Sequence, residues 1–99
     1  MEGKENQRQR VYRLEVSPAA DRDLTKLGQR IQGHNFERLR TAIDSLANQP
    51  RPPGGRKIKG EDNAYRIRVG DYRIVYEIYD NENTVVLLQV VRRSETTYK

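Results

Sequence analysis

The segment 65–76 constrains the fold of this chain more than any other. It reads Tyr-Arg-Ile-Arg-Val-Gly-Asp-Tyr-Arg-Ile-Val-Tyr, so polar and apolar side chains alternate on both sides of Gly70-Asp71. Alternation of this kind predicts strands, and glycine at the first position of a two-residue loop suits a type II′ turn. The segment therefore predicts a β-hairpin whose register is set by its turn.

This register places arginines directly opposite one another. Arg68 faces Arg73, and Arg66 lies two residues along on the same face. Like charges in cross-strand pairs destabilise a sheet, so a surface that keeps them is suited to receive an anion such as phosphate. The alternative is a solvated sheet face, on which Glu77 or Asp71 pairs with the arginines.

The rest of the chain predicts an α+β domain. Ser17 and Pro18 suit the N-cap and first residue of a helix, and Gly28 suits its end. We expect an N-terminal strand, an α-helical hairpin packed on one face of a small sheet, and then an antiparallel β-meander. The predicted elements are a strand at 11–16, helices at 18–28 and from 29 or 34 to 48, a loop at 49–55, and strands at 57–59, 64–69, 72–79 and 85–91. Residues 1–10 are predicted to be a flexible polar tail, and 11–99 a single domain.

Composition limits the partners and the compartment. Lys and Arg outnumber Asp and Glu by 19 to 14, giving a net charge of +5 and a pI near 9.7. This surplus favours a polyanionic partner. The absence of cysteine excludes disulfides, and no apolar run approaches the roughly 20 residues that span a bilayer. We therefore expect a cytoplasmic protein with no membrane partner.

Motifs for cofactor or metal binding are missing from the sequence. His34 is the one histidine, the carboxylates fall in loops and turns, and no phosphate-binding loop or dinucleotide fingerprint is present. The sequence therefore predicts no cofactor and no metal site, and any catalysis is expected to be metal-free.

The chain resembles the RelE/ParE superfamily of type II toxins. The similarity extends from Tyr12 to Tyr98. The segments that carry it are 18–27, 46–50, 58–60, 65–76, Arg92-Arg93 and Tyr98.

The resemblance implies a toxin neutralised by a cognate antitoxin. Its RelE-like branch cuts mRNA in the ribosomal A site, where the ribose 2′-hydroxyl attacks the neighbouring phosphate without a metal. By matched position, the implied catalytic residues are Arg66, Arg68, Arg73, Arg93 and Tyr98. The residues predicted to bind RNA beside them are Lys57, Lys59 and Arg92.

One difference from RelE proteins leaves the general base open. The better-known RelE proteins carry lysines where this chain has Arg66 and Arg68, and arginine does not lose its proton in proteins. Glu77, Tyr98 or a ribosomal group is left to accept the proton. Two other functions also remain open: a ParE-like toxin that inhibits DNA gyrase, and a catalytically degenerate RNA-binding partner of the antitoxin.

Overall fold

The computed structural model describes residues 11–31 and 33–92. Within them the elements, in chain order, are β1 (Arg13–Val16), α1 (Pro18–Arg30), α2 (Gly33–Ser45), β2 (Arg56–Lys57), β3 (Ala64–Val69), β4 (Tyr72–Tyr79), a 3-10 helix (Asp80–Glu82) and β5 (Thr84–Arg92). The tail predicted at 1–10 lies outside the described residues. Neither described helix is long and apolar enough to cross a bilayer.

The strands form one sheet in the order β1-β5-β4-β3-β2. Strands β2 to β5 make an antiparallel meander, whereas β1 pairs in parallel with β5. The chain therefore leaves the sheet at one edge, forms both helices, and returns at the opposite edge. This arrangement confirms the predicted α+β class and places the almost wholly apolar strand β5 inside the sheet.

The helices cover one face of the sheet and complete the core. Tyr76, Ile74 and Leu87 are fully buried on the sheet side, and Leu39 and Leu46 are almost fully buried on the side of α2. Among the described residues, the buried cluster between sheet and helices comprises Tyr12, Ala20, Leu39, Ile43, Leu46, Ile74, Tyr76, Ile78, Val85, Leu87 and Val90. The opposite face, called the open face below, carries neither described helix.

The hairpin has the predicted register. Val69 pairs with Tyr72 and Ile67 with Ile74, and β3 and β4 have the predicted bounds. Gly70 has a φ of 60°, as the first loop position of a type II′ turn requires. The two-residue turn thus determines which side chains share a face.

The start of α1 agrees with the prediction, but its end does not. The Ser17 side chain accepts a hydrogen bond from the Ala20 N–H at 3.1 Å, and Pro18 begins the helix. The predicted stop at Gly28 is wrong, because the helix continues to Arg30. Gly28 instead lies beside the ring of Phe36, at a distance where an added Cβ would be 3.5 Å from the ring. The two helices are therefore in contact at Gly28 and Phe36.

Tyr76 connects the core to the proline-rich loop after α2. Its hydroxyl donates to the Pro50 carbonyl at 2.8 Å, and its ring stacks on Tyr65 with centroids 6.0 Å apart. Burial raises the pKa of Tyr76 to about 12. The loop is therefore held against the end of the sheet where β2 begins.

Candidate functional site

The predicted arginines of the hairpin lie together on the open face. Ile67 and Ile74 pair on the helix side, so Arg66, Arg68 and Arg73 point the other way by strand alternation. Arg68 and Arg73 are direct cross-strand partners. The structure thus brings together three of the residues that the sequence singled out.

A fourth arginine, Arg56, completes a second opposed pair. It is the cross-strand partner of Arg66 at the sheet edge, and β2 begins at this residue rather than at Lys57. Sequence reasoning missed Arg56, because a strand that begins at Lys57 leaves it in the preceding loop. Recognition of the strand one residue earlier would have put Arg56 on the face opposite to Lys57.

These side chains surround one shallow depression, the arginine cleft. Its volume is about 320 Å³, and it is lined by Gly54, Arg56, Arg66, Ile67, Arg68 and Arg73. Gly54 has a φ of 90°, a conformation that side-chain-bearing residues rarely adopt. Gly54 belongs to the loop that Tyr76 holds through the Pro50 carbonyl, so this loop forms one wall of the cleft.

Carboxylates of the described residues do not neutralise the hairpin strand β3. Neither Arg66 nor Arg68 forms a salt bridge within residues 11–31 and 33–92. Glu77 lies two residues beyond Val75, the partner of Arg66, but its carboxylate accepts the Tyr79 hydroxyl at 2.9 Å. This hydrogen bond raises the pKa of Tyr79. The alternative in which Glu77 or Asp71 pairs with these two arginines is not what the structure shows.

Two of the predicted RNA-binding residues lie elsewhere. Lys57 pairs with Tyr65, and Arg92 pairs with Tyr72, so each lies on the side of the sheet that the helices cover. The expectation that Arg92 joins the arginines of the hairpin is therefore wrong. Lys59 is exposed in the turn after β2 and does not line the arginine cleft.

An irregularity in β5 accounts for the position of Arg92. Tyr76 pairs with Leu87 but Val75 pairs with Gln89, so Leu88 is an extra residue in the ladder. Such a β-bulge reverses the alternation of every later residue. Arg92 consequently turns toward the helix side. The predicted residues Arg93 and Tyr98 lie outside the described residues.

A second polar cluster lies on the helix side of the sheet and holds the loop that follows α2. Arg51 donates to both carboxylate oxygens of Asp80, at 2.9 and 3.3 Å, and its guanidinium lies 5.3 Å from the centre of the Tyr65 ring. The Tyr12 hydroxyl donates to the same carboxylate at 2.6 Å. The hydrogen bonds to Asp80 and Tyr65 raise the pKa of Arg51. These contacts fix the loop that leads to Gly54 and Arg56.

Known proteins share both the sequence pattern and this architecture. Residues 14–97 match the family described as the ParE toxin of type II toxin-antitoxin systems, parDE. The chain belongs to the RelE/ParE superfamily of type II toxins. Toxin RelE of Mycobacterium tuberculosis is 30% identical over 83 residues, which cover 84% of this chain and 82% of that protein.

Two solved structures resemble this toxin closely in fold. The RelBE2 toxin-antitoxin complex of M. tuberculosis contains a chain with a TM-score of 0.69 and 26% identity, covering 86% of this chain and 94% of that chain. The archaeal RelE-RelB complex of Pyrococcus horikoshii contains a chain with a TM-score of 0.71 and 22% identity. The match covers 87% of this chain and 99% of that chain. The protein is thus a type II toxin with the RelE fold.

Proposed function

We propose that this toxin is a ribosome-dependent endoribonuclease that cuts mRNA at the arginine cleft. RelE-type toxins are generally endoribonucleases. The observation that carries the proposal is the register that sets Arg68 opposite Arg73 and Arg66 opposite Arg56 on one face. Two opposed guanidinium pairs on rigid strands match a phosphodiester that gains charge as it reacts.

The proposed reaction is an internal transfer of the phosphate that needs no metal. The ribose 2′-oxygen forms a bond to phosphorus while the bond from phosphorus to the 5′-oxygen of the next nucleotide breaks. A base accepts the 2′-hydroxyl proton, and the leaving oxygen gains a proton. The products are a cyclic phosphate and a 5′-hydroxyl, and the arginines stabilise the pentacovalent phosphate between them.

The proton acceptor must come from outside the cleft arginines, since guanidinium does not act as a base in proteins. Glu77 does not line the cleft, and its carboxylate is engaged by Tyr79. We therefore assign the role to Tyr98 or to a group of the ribosome. Arg93 is proposed to extend the phosphate-binding set, and Lys59 to contact the RNA beyond it.

A cognate antitoxin is the second proposed partner. The related M. tuberculosis and P. horikoshii toxins were solved as complexes with their antitoxins. A chain with a net charge of +5 and an arginine-lined cleft is complementary to an acidic segment. We propose that such a segment folds on this toxin and covers the cleft, which prevents RNA from entering.

The decisive experiment incubates the purified toxin with programmed ribosomes and maps the ends of the mRNA. We expect cuts within the A-site codon that carry a cyclic phosphate. Arg73→Ala and Arg68→Ala should each lower the cleavage rate about 10²–10³-fold, because each removes a donor that acts on the transition state. Arg22→Ala, an exposed arginine of α1, removes the same charge and should cut at the wild-type rate. Full activity of both cleft variants would refute the assignment.

A gyrase-directed function is the second candidate, because the matching family is described as the ParE toxin. Induction in cells separates the two functions. Rapid loss of protein synthesis with cut transcripts supports the ribosome as target, whereas DNA-damage signalling with intact transcripts supports gyrase. RNA binding that weakens with salt but yields no cyclic phosphate would identify a degenerate RNA-binding toxin.

A further inference from the structure

The β-bulge at Leu88 determines what the open face presents beside the arginine cleft. Without an extra residue, alternation from Val85 and Leu87 would carry Gln89 into the core. With the bulge, Val90 takes the core position, 3% exposed, and Gln89 is exposed as the partner of Val75. Bulges near functional sites commonly redirect a side chain in this way.

The bulged register is held in place from the helix side. The Asp23 carboxylate of α1 accepts the Val90 N–H at 2.9 Å. The parallel pairing of β1 ends at Val16 opposite Leu87, so this contact satisfies a backbone donor that β1 does not reach. A one-residue slip would break this bond and bury the Gln89 amide, which opposes the slip.

Gln89 completes a row that runs across four strands through the cleft. Arg56 pairs with Arg66, Arg66 with Val75, and Val75 with Gln89. Neighbouring strands lie about 4.8 Å apart, so the backbone of Gln89 is roughly 10 Å from that of Arg66. Val75 between them provides a partly buried apolar surface. A nucleotide whose phosphate lies among the arginines would extend its base over Val75 toward Gln89.

The amide of Gln89 differs chemically from the guanidinium groups of the cleft. It offers both a donor and an acceptor, as the edges of nucleobases do, whereas guanidinium only donates. Paired hydrogen bonds from an amide to a base edge discriminate between bases, but contacts to phosphate do not. The row therefore combines a phosphate-binding end with an end suited to base recognition.

We propose that Gln89 hydrogen-bonds the base next to the scissile phosphate and sets the base preference of cleavage. This inference rests on the proposed endoribonuclease function. Val75 supports the sugar or the face of that base, and the arginines bind the phosphate. Gln89 then affects which codon is cut, whereas Arg68 and Arg73 affect how fast any codon is cut.

The test measures kcat/KM for ribosomes programmed with a panel of A-site codons that differ by one base. Gln89→Met keeps the side-chain size but removes the amide, and Gln29→Met makes the same change at an exposed position of α1. We expect Gln89→Met to reduce the ratio between the best and worst bases at one codon position about 10-fold. Gln29→Met should leave this ratio unchanged, and Gln89→Asn should retain part of it.

The outcomes distinguish a failure of the Gln89 proposal from a failure of the endoribonuclease proposal. If the wild-type toxin cuts no codon, the endoribonuclease proposal fails. If it cuts and Gln89→Met keeps the same preferences, the base contact is refuted. An equal loss of kcat/KM on all codons also refutes it, because a purely structural role predicts that result.

Discussion

At the scale of single residues, Tyr76 shows how one buried side chain serves both stability and the site. It is fully buried, stacks on Tyr65, and donates to the Pro50 carbonyl. The hydrogen bond holds the loop that contributes Gly54 to the cleft. Burial raises the pKa of this phenol from about 10 in the unfolded chain to about 12, so between these pH values only the folded state keeps it mostly protonated.

The stability of the toxin should therefore fall in strongly alkaline solution. A folded pKa above the unfolded value means that the contribution of Tyr76 is complete below about pH 10 and is lost as pH rises toward about 12. We expect the free energy of unfolding to drop by about 1 kcal/mol or more across the lower half of this window. Urea titrations from about pH 9 to about pH 11 measure it.

Tyr76→Phe provides the control for this titration. The variant loses the bond to Pro50, so it should be less stable by about 1 kcal/mol near neutral pH. It should also show a smaller alkaline decline than the wild type, because it lacks the buried phenol whose pKa is raised. Equal declines in both proteins would show that another group is responsible.

At the scale of elements, the β3–β4 hairpin sets the geometry of the cleft. Its register brings Arg68 opposite Arg73, and the turn depends on Gly70 at a φ of 60°. An L-residue with a side chain is strained in this conformation. A change confined to the turn should therefore affect both the stability and the alignment of the two arginines.

Gly70→Ala should lower the free energy of unfolding by about 1 kcal/mol and should also reduce RNA cleavage. Gly33→Ala is the matched control, because Gly33 lies at the start of α2 and, in the described part of the chain, no packing neighbour comes within 4 Å of an added Cβ. That variant should be at least as stable as the wild type. Denaturant unfolding together with the cleavage assay tests both effects, and a fully stable Gly70→Ala would contradict the role of the turn.

At the scale of the whole molecule, the sheet separates the arginine cleft from the cations on the helix side. Four arginines line the cleft on the open face, and Arg51 on the helix side is neutralised by Asp80. Neighbouring residues of β2 mark the division, since Arg56 lines the cleft and Lys57 pairs with Tyr65 on the other side. RNA binding should therefore depend on Arg56 far more than on Lys57.

Salt titrations of single-stranded RNA binding test this difference. Each phosphate contact contributes about 0.7 to the slope of log K against log salt concentration. Arg56→Ala should lower the slope by about that amount, whereas Lys57→Ala should leave it nearly unchanged. Equal effects of the two variants would mean that RNA also contacts the helix side, and would support the original prediction for Lys57.

Local signals in the sequence determined the hairpin, its arginine face and the start of α1. A two-residue turn fixes cross-strand pairs among residues that are close along the chain, and an N-cap acts within one turn of helix. Residues far along the chain are not needed to form either feature. The resemblance to RelE/ParE toxins rested in part on the same hairpin, and the family match confirmed it.

Contacts between distant segments decided the rest. The pairing of Arg56 with Arg66 is made across the loop between β2 and β3, and α1 continues past Gly28 to Arg30, with Leu27 and Ile31 packed against the core. The bulge at Leu88 arises because the core accepts Val90 and excludes Gln89. Alternation along one strand is local, but the face that each residue takes is set by which side chains the assembled core can bury.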